Sequence, residues 1–485
     1  MKSLAKNSIY NVIYQILNIV FPLISSIYVA RVLMPDGVGR VAYAQNIASY
    51  FVSAAALGVP TVGLRAISIV RDNREQRNKV FSELFFLNAI STTIAIPCYL
   101  CMVFMVPSIQ AEYKLFLVVG ISVVINYFNI DWLFTGNEEY GYIVIRSVAV
   151  KLASLLALFL FVRDIEDYIT YAMITTFALS GNYLLNVLRA KKSVTLIYRG
   201  LNIKQHIKPV FILAGSLFLN AIYSKLDTTM LGGIAGEDSV GYYTYAHRIL
   251  QVGITFCTAI TSAFLPRLSY YYKNDHGAFR ALVSKGIQIV AFLSIPAAAG
   301  LFILAPDVIR ILFGDCFLPA ARTLRIFSIL IIVFAFGNLL SYQMMLCTGT
   351  EKKYVVILSV AAGLNVVLNS ILIPGLKQDG AAIASVVTEI FINSVAILYY
   401  TKKLRVSYKN GVILQAILAA AIMSICTVVL RRLMGQSIFA LICCICTGAM
   451  VYLLINVAMR NELAIDVIKR MRNEFRGKIN QKHKV

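Results

Sequence analysis

Runs of about twenty apolar residues recur along the whole of this chain, and that recurrence leaves few folds open to it. At 1.5 Å per residue such a run crosses the ~30 Å hydrocarbon core of a bilayer as a helix. We place fourteen, at 8–31, 41–64, 81–106, 114–135, 142–162, 167–188, 208–234, 239–263, 285–305, 325–348, 354–374, 380–401, 409–430 and 437–459. The chain is 59% hydrophobic and only 14% charged over 485 residues, more apolar side chain than a water-soluble core of this size encloses. The expectation is an all-α polytopic membrane protein of about 14 transmembrane helices.

The balance of 45 Lys and Arg against 23 Asp and Glu is strongly basic. In a soluble chain it would suggest nucleic acid. Here its distribution argues otherwise. With the first segment cytoplasmic, cytoplasmic loops carry Arg71, Arg74, Arg77, Lys191, Lys192, Arg267, Lys352 and Lys402 among many others, about three times the count on the outer loops. Both termini are therefore expected in the cytoplasm, with 461–485 as a basic, solvated tail, and no nucleic-acid partner. Eight of the nine cysteines fall in the expected helices, and the CYLC and CCIC spacings lack charged partners around them, so no metal or other cofactor is expected. Gln15, Asn18 and Pro22 interrupt the first apolar run, which reads as a span rather than a cleaved signal.

The chain also repeats itself. Val32–Ile47 (VLMPDGVGRVAYAQNI) matches Gly233–Ile249 (GIAGEDSVGYYTYAHRI) at an offset of 202, pairing Asp36 with Asp238, Gly39 with Gly241, Tyr43 with Tyr245 and Ala44 with Ala246. Thr135–Leu152 matches Thr348–Leu364 with one residue dropped. Spans 1–6 and 7–12 thus read as two copies of one six-helix unit. Six is even, so both copies enter the membrane in the same direction, the parallel-repeat arrangement in which access alternates around a site between the halves. The expected organisation is an N-lobe at 1–205, a C-lobe at 206–405, two additional spans within 406–460, and the tail.

ARVLMPDGVGRVAYAQNI, NIDWLFTGNEEYGYIVIRS, VGYYTYAHRI, FLPRLSYYY, IPAAAGLFILAPDVIRILFG and DGAAIASVVTE, in that order over about residues 5–405, resemble polysaccharide repeat-unit flippases of the MOP superfamily. The resemblance implies a MATE-like two-lobe bundle with a central cavity, also similar to lipid II flippases. It implies a place in the bacterial inner membrane and a cargo of undecaprenyl-diphosphate-linked oligosaccharide, turned from the cytoplasmic to the outer leaflet. It further implies the polysaccharide polymerase machinery as a partner.

Such a cargo accounts for charges inside apolar helices. A diphosphate with sugars loses its hydration in hydrocarbon unless cationic side chains replace it. Charges at mid-bilayer cost about 2.5–3.5 kcal/mol on insertion scales, which marks them for function. Lys225 and Arg248 are the expected headgroup ligands, with Asp227 pairing to Arg248 and gating the two. Arg65 and Arg146 are further candidate ligands nearer the cytoplasm, Arg146 being a natural partner for Asp131. Lys151 and Glu389, near mid-membrane in opposite halves, are candidates for Na⁺ or H⁺ coupling. Tyr242 and Tyr245, at the start of span 8, are candidates to stack on sugar rings.

Three other readings compete. A polymerase or ligase would need an organised polar loop, whereas the longest outer segment, 306–324, is strongly apolar; GxxxxGK[ST] and HExxH are both absent. The chain is accordingly read as a transporter and not an enzyme. A MATE-like cation-coupled drug exporter would favour acids in the cavity, and the helix-embedded cations outnumber Asp131, Asp227 and Glu389. A lipid II flippase is separated only by the motifs.

Overall fold

The computed structural model describes residues 4–404 and 410–465, so the tail beyond 465 lies outside the described residues. Among those residues every regular element is helical. Eight helices are long and apolar enough to cross a membrane, or nine when Val20–Ala56 and Val59–Val70, bent by 40° at their junction, count as one.

All fourteen apolar runs fall on helix, but two pairs are joined with almost no loop. Leu4–Ala56 is interrupted only at Met34 (φ 56°, ψ 178°), and Glu351–Leu404 only at Lys377 (φ 50°, ψ −128°). Pro35 explains the first interruption, because a proline ring bars its predecessor from the helical region and then starts the next helix well. At the second the chain doubles back: a Cβ added to Gly380 would lie 2.5 Å from the Leu372 carbonyl oxygen. An unbroken 49-residue helix over Lys352–Tyr400 would be about 70 Å long, more than twice the membrane core.

Besides 41–64, which is broken at Leu57–Gly58, three runs expected to be continuous are interrupted. Span 4 becomes Tyr113–Ile125, a 3₁₀ turn Asn126–Phe128, and Asp131–Gly136. Side chains take up the backbone groups so released: Asn88 Nδ2 donates to the Asn126 carbonyl (2.8 Å) and Trp132 Nε1 to the Asn129 carbonyl (3.0 Å), while Asn126 Nδ2 reaches Thr92 Oγ1 (2.9 Å). Span 10 passes through a π-turn at Asn338–Tyr342, where Asn338 Oδ1 accepts from Thr261 Oγ1 (2.8 Å) and Gln343 Nε2 (2.9 Å). Span 6 divides at Gly181 into Tyr168–Ser180 and Asn182–Ser193.

The chain forms two compact units, Met1–Thr244 and Tyr245–Val485, the division falling inside helix Glu237–Ser262. In the first unit the connections gather at two ends. At one, Arg40 pairs with Asp36 (2.9 Å) and Glu112 (2.6 Å), and Tyr168 Oη donates to Glu112 (3.1 Å). At the other, Arg71 pairs with Glu138 (2.7 Å), Arg189 with Glu139 (3.2 Å), and Arg77 Nη2 donates to the Ser193 carbonyl (2.9 Å). Alternate connections thus meet at opposite ends, as an up-and-down bundle requires. Fully buried Glu83 fastens the linker there, accepting from Asn202 N (2.7 Å) and Gln205 Nε2 (2.8 Å) and lying 2.8 Å from His206 Nε2.

The first unit also shows the repeat in its backbone. Gly236 (φ 83°, ψ 176°) occupies the position 202 residues after Met34 and has nearly the same conformation. Helix starts Pro35 and Glu237 follow, and they meet. A Cβ on Gly39 would lie 1.8 Å from the Glu237 carbonyl oxygen; one on Gly241 would lie 2.2 Å from that of Pro35. The two contacts exchange under the 202 offset, the signature of a two-fold relation.

In the second unit His276–Phe313 packs against Ala320–Gly337 and Asn410–Met434, and the last of these against Ile438–Ala458. The two additional helices are firmly seated: Arg431 pairs with Asp307, and Ala419, Ala420, Met423 and Tyr452 form a core with Phe292. Beside that core lies an apolar cavity of about 580 Å³, bounded by residues including Phe256, Pro296, Leu301, Met423 and Tyr452.

Candidate functional site

The polar centre of the first unit lies where the second half of Leu4–Ala56 crosses Lys204–Ala235. Asn46 Nδ2 donates to Thr229 Oγ1 (2.7 Å) and to the Lys225 carbonyl (3.1 Å), and Tyr50 Oη lies 2.9 Å from Thr229 Oγ1. Close approach is possible because Gly232 packs on the Tyr43 ring, where a Cβ would sit 2.3 Å from a ring carbon. Asp227 accepts a hydrogen bond from Tyr243 Oη at 2.8 Å. Lys225 is half-buried, and among the described residues its ammonium has neither a hydrogen-bond nor an ion-pair partner.

The other charged candidates divide between binding-competent and structural settings. Arg146 is 4% exposed; it pairs with Asp131 (2.8 Å), donates to Asn186 Oδ1, and lies over the Tyr142 ring. Asn186 in turn donates to Asp131. The Asp131–Arg146 pair therefore forms, but in a brace joining Asp131–Gly136, Tyr140–Phe161 and Asn182–Ser193. Its Nη1 serves that brace, while its Nε and Nη2 are buried without a hydrogen-bond partner. Arg65 is exposed on helix Val59–Val70, about 200° around from Gly63, whose face is filled by the Trp132 ring. Lys151 donates to Asn18 Oδ1 and lies near the Phe21 ring.

In the second unit the Arg248 guanidinium lies 5.0 Å from the Tyr245 ring centroid. Tyr245 itself is fully buried, with Phe313 edge-on at 4.6 Å and Phe317 at 4.8 Å. Both rings pack against it in this structure. Its repeat counterpart Tyr43 likewise meets Phe116 edge-on, at 6.3 Å. Tyr242 is half-buried. Glu389 has Asn393 Nδ2 at 3.5 Å from its carboxylate.

The sequence reading does not single out Asn46, Tyr50 or Thr229, and it does not assign Tyr243 to Asp227. Asn46 had a signal, since the 202 offset pairs it with Arg248. Thr229 lies one helical turn beyond Lys225, on the same face.

Comparison with known proteins fixes the family. The profile described as "Polysaccharide biosynthesis protein" matches residues 4–272, more than half of the chain, and a second, "MatE", matches 213–371. The chain belongs to the polysaccharide biosynthesis protein family. Among relatives, it is 24% identical over 400 residues to the "Putative O-antigen transporter" of Escherichia coli K12, covering 82% of this chain and 96% of that one. It is 28% identical over 186 residues to the "Probable low-salt glycan biosynthesis flippase Agl15" of Haloferax volcanii, covering 37% of this chain and 38% of that one. Among solved structures, lipid II flippase MurJ in an inward closed conformation superposes with a TM-score of 0.75 at 15% identity, covering 94% of this chain and 99% of that one. An outward-facing MATE transporter of the MOP superfamily gives 0.56 at 17% identity, over 83% and 95%. The fold is that of this superfamily.

Proposed function

We propose that this family member is a flippase that moves undecaprenyl-diphosphate-linked oligosaccharide repeat units from the cytoplasmic to the outer leaflet by alternating access, for cell-surface polysaccharide synthesis. Lys225 carries the proposal. A half-buried ammonium with no partner among the described residues, in a helix apolar on either side, is costly unless an anion visits it. A diphosphate supplies that anion. Lys225 and Arg248 are the candidate ligands, Asp227 is the candidate gating group, and exposed Arg65 receives the headgroup first. Half-buried Tyr242 remains the candidate for sugar contact. Lys151 and Glu389 are the candidates for coupling to Na⁺ or H⁺. Residues 1–205 and 206–405 are the two repeats, and the end bearing Arg71 faces the cytoplasm with the termini. The names of the relatives and the excess of cations over acids inside the helices support a transported anion over a cationic drug.

The test is a deletion followed by leaflet-resolved measurement of lipid-linked oligosaccharides. Accumulation on the cytoplasmic leaflet supports the reading. Normal distribution together with retention of a cationic dye would replace it with drug export.

A further inference from the structure

We propose that the Gly39–Gly241 crossing is a gate, closed in this structure, at the end of the molecule that carries Asp36 and Arg40. The proposal rests on the transport reading above and gives it a moving part. Four observations bring it together. The crossing is backbone against backbone, with Gly39 facing the Glu237 carbonyl and Gly241 facing that of Pro35. It joins the helix that begins at Pro35 to the helix that begins at Glu237, equivalent elements of the two repeats. Each helix start is preceded by a single extended, positive-φ residue, Met34 or Gly236, which acts as a swivel. The candidate site lies further along the same two interfaces, with Tyr43 against Gly232 and then Asn46 and Tyr50 against Thr229.

A joint of this kind suits a gate better than a weld. Glycine faces slide apart without breaking an ion pair, and a two-fold contact lets both helix starts move by equal amounts. The Arg40 pairs stay within the first repeat, to Asp36 and Glu112, so they do not lock the crossing. The same contact makes the gate sensitive to one methyl group. A Cβ at 1.8 Å from a carbonyl oxygen cannot be absorbed by a rotamer change, because the opposing atom is backbone.

The experiment uses the full chain in membrane vesicles, with the nine native cysteines replaced by serine. A Thr229→Cys reporter is labelled with a membrane-impermeant maleimide applied to each face in turn. Gly39→Ala and Gly241→Ala are expected to raise labelling from the Asp36 face about tenfold, and the double variant by more. Separately, the Thr229→Cys chain with both glycines intact is expected to label at least tenfold more slowly from the Asp36 face than from the opposite face. Unchanged labelling in the alanine variants, or equal labelling from the two faces with the glycines intact, overturns the gate. Should an alanine variant fail to accumulate, the comparison of the two faces decides alone. Labelling needs no cargo, so the gate and the choice of cargo fail independently.

Discussion

Lys225 and Arg146 are both cations set in apolar helices of the first unit, yet the structure treats them in opposite ways. Arg146 is enclosed, and Asp131, Asn186 and the Tyr142 ring surround its guanidinium. Lys225 is half-buried, and the side chains that bond to it, the Asn46 amide and the Thr229 hydroxyl, donate to its backbone carbonyl and not to its ammonium. A buried charge with dedicated partners is part of the scaffold. One left to meet its counter-charge from outside is what the proposed function uses.

The contrast can be broken most sharply from the scaffold side. Asp131→Ala leaves the Arg146 guanidinium buried with its counter-charge removed, a loss of about 3 kcal/mol. The folded yield and detergent melting temperature should fall together, whatever cargo is present. Lys225→Ala should do the reverse, leaving the melting temperature within a degree or two of wild type. Flipping should fall about 30-fold, because one charge-assisted contact to the headgroup is worth roughly 2 kcal/mol. Lys225→Arg should restore much of the rate, which a merely steric role would not allow. Tyr243→Phe removes a donor from the Asp227 carboxylate and should cost about 1 kcal/mol of stability, read as a small fall in melting temperature. The smallest effect lies outside both clusters. Met34 holds a backbone conformation that strains an ordinary side chain, but a glycine gives back most of the relief by widening the unfolded ensemble, and its counterpart is Gly236. Met34→Gly should therefore raise the melting temperature slightly.

What the sequence made legible follows from the same physics. Apolar runs announce themselves because lipid tolerates little else, so each expected span falls on helix. The duplication was legible because Asp36, Gly39, Tyr43 and Ala44 all recur at one spacing, and the matched backbone angles of Met34 and Gly236 follow it. The breaks were not legible. Asn126 and Asn338 read as isolated polar residues within apolar runs; only Asn88, Thr92, Thr261 and Gln343, brought in by the fold, make the irregular turns possible there. Charge at Arg146 was visible, but Asn186, forty residues on, was not, and without it the brace cannot be told from a ligand. The surroundings of Tyr245 were hidden for a similar reason: an aromatic at a helix start suits an interface, whereas Phe313 and Phe317 arrive from distant sequence to bury it.

The central claim is that the ammonium of Lys225 receives an anionic lipid headgroup, and the most direct test is the leaflet distribution of lipid-linked oligosaccharide in cells carrying Lys225→Ala at wild-type protein level. The account predicts accumulation on the cytoplasmic leaflet, relieved by Lys225→Arg. A wild-type distribution in the alanine variant would contradict it.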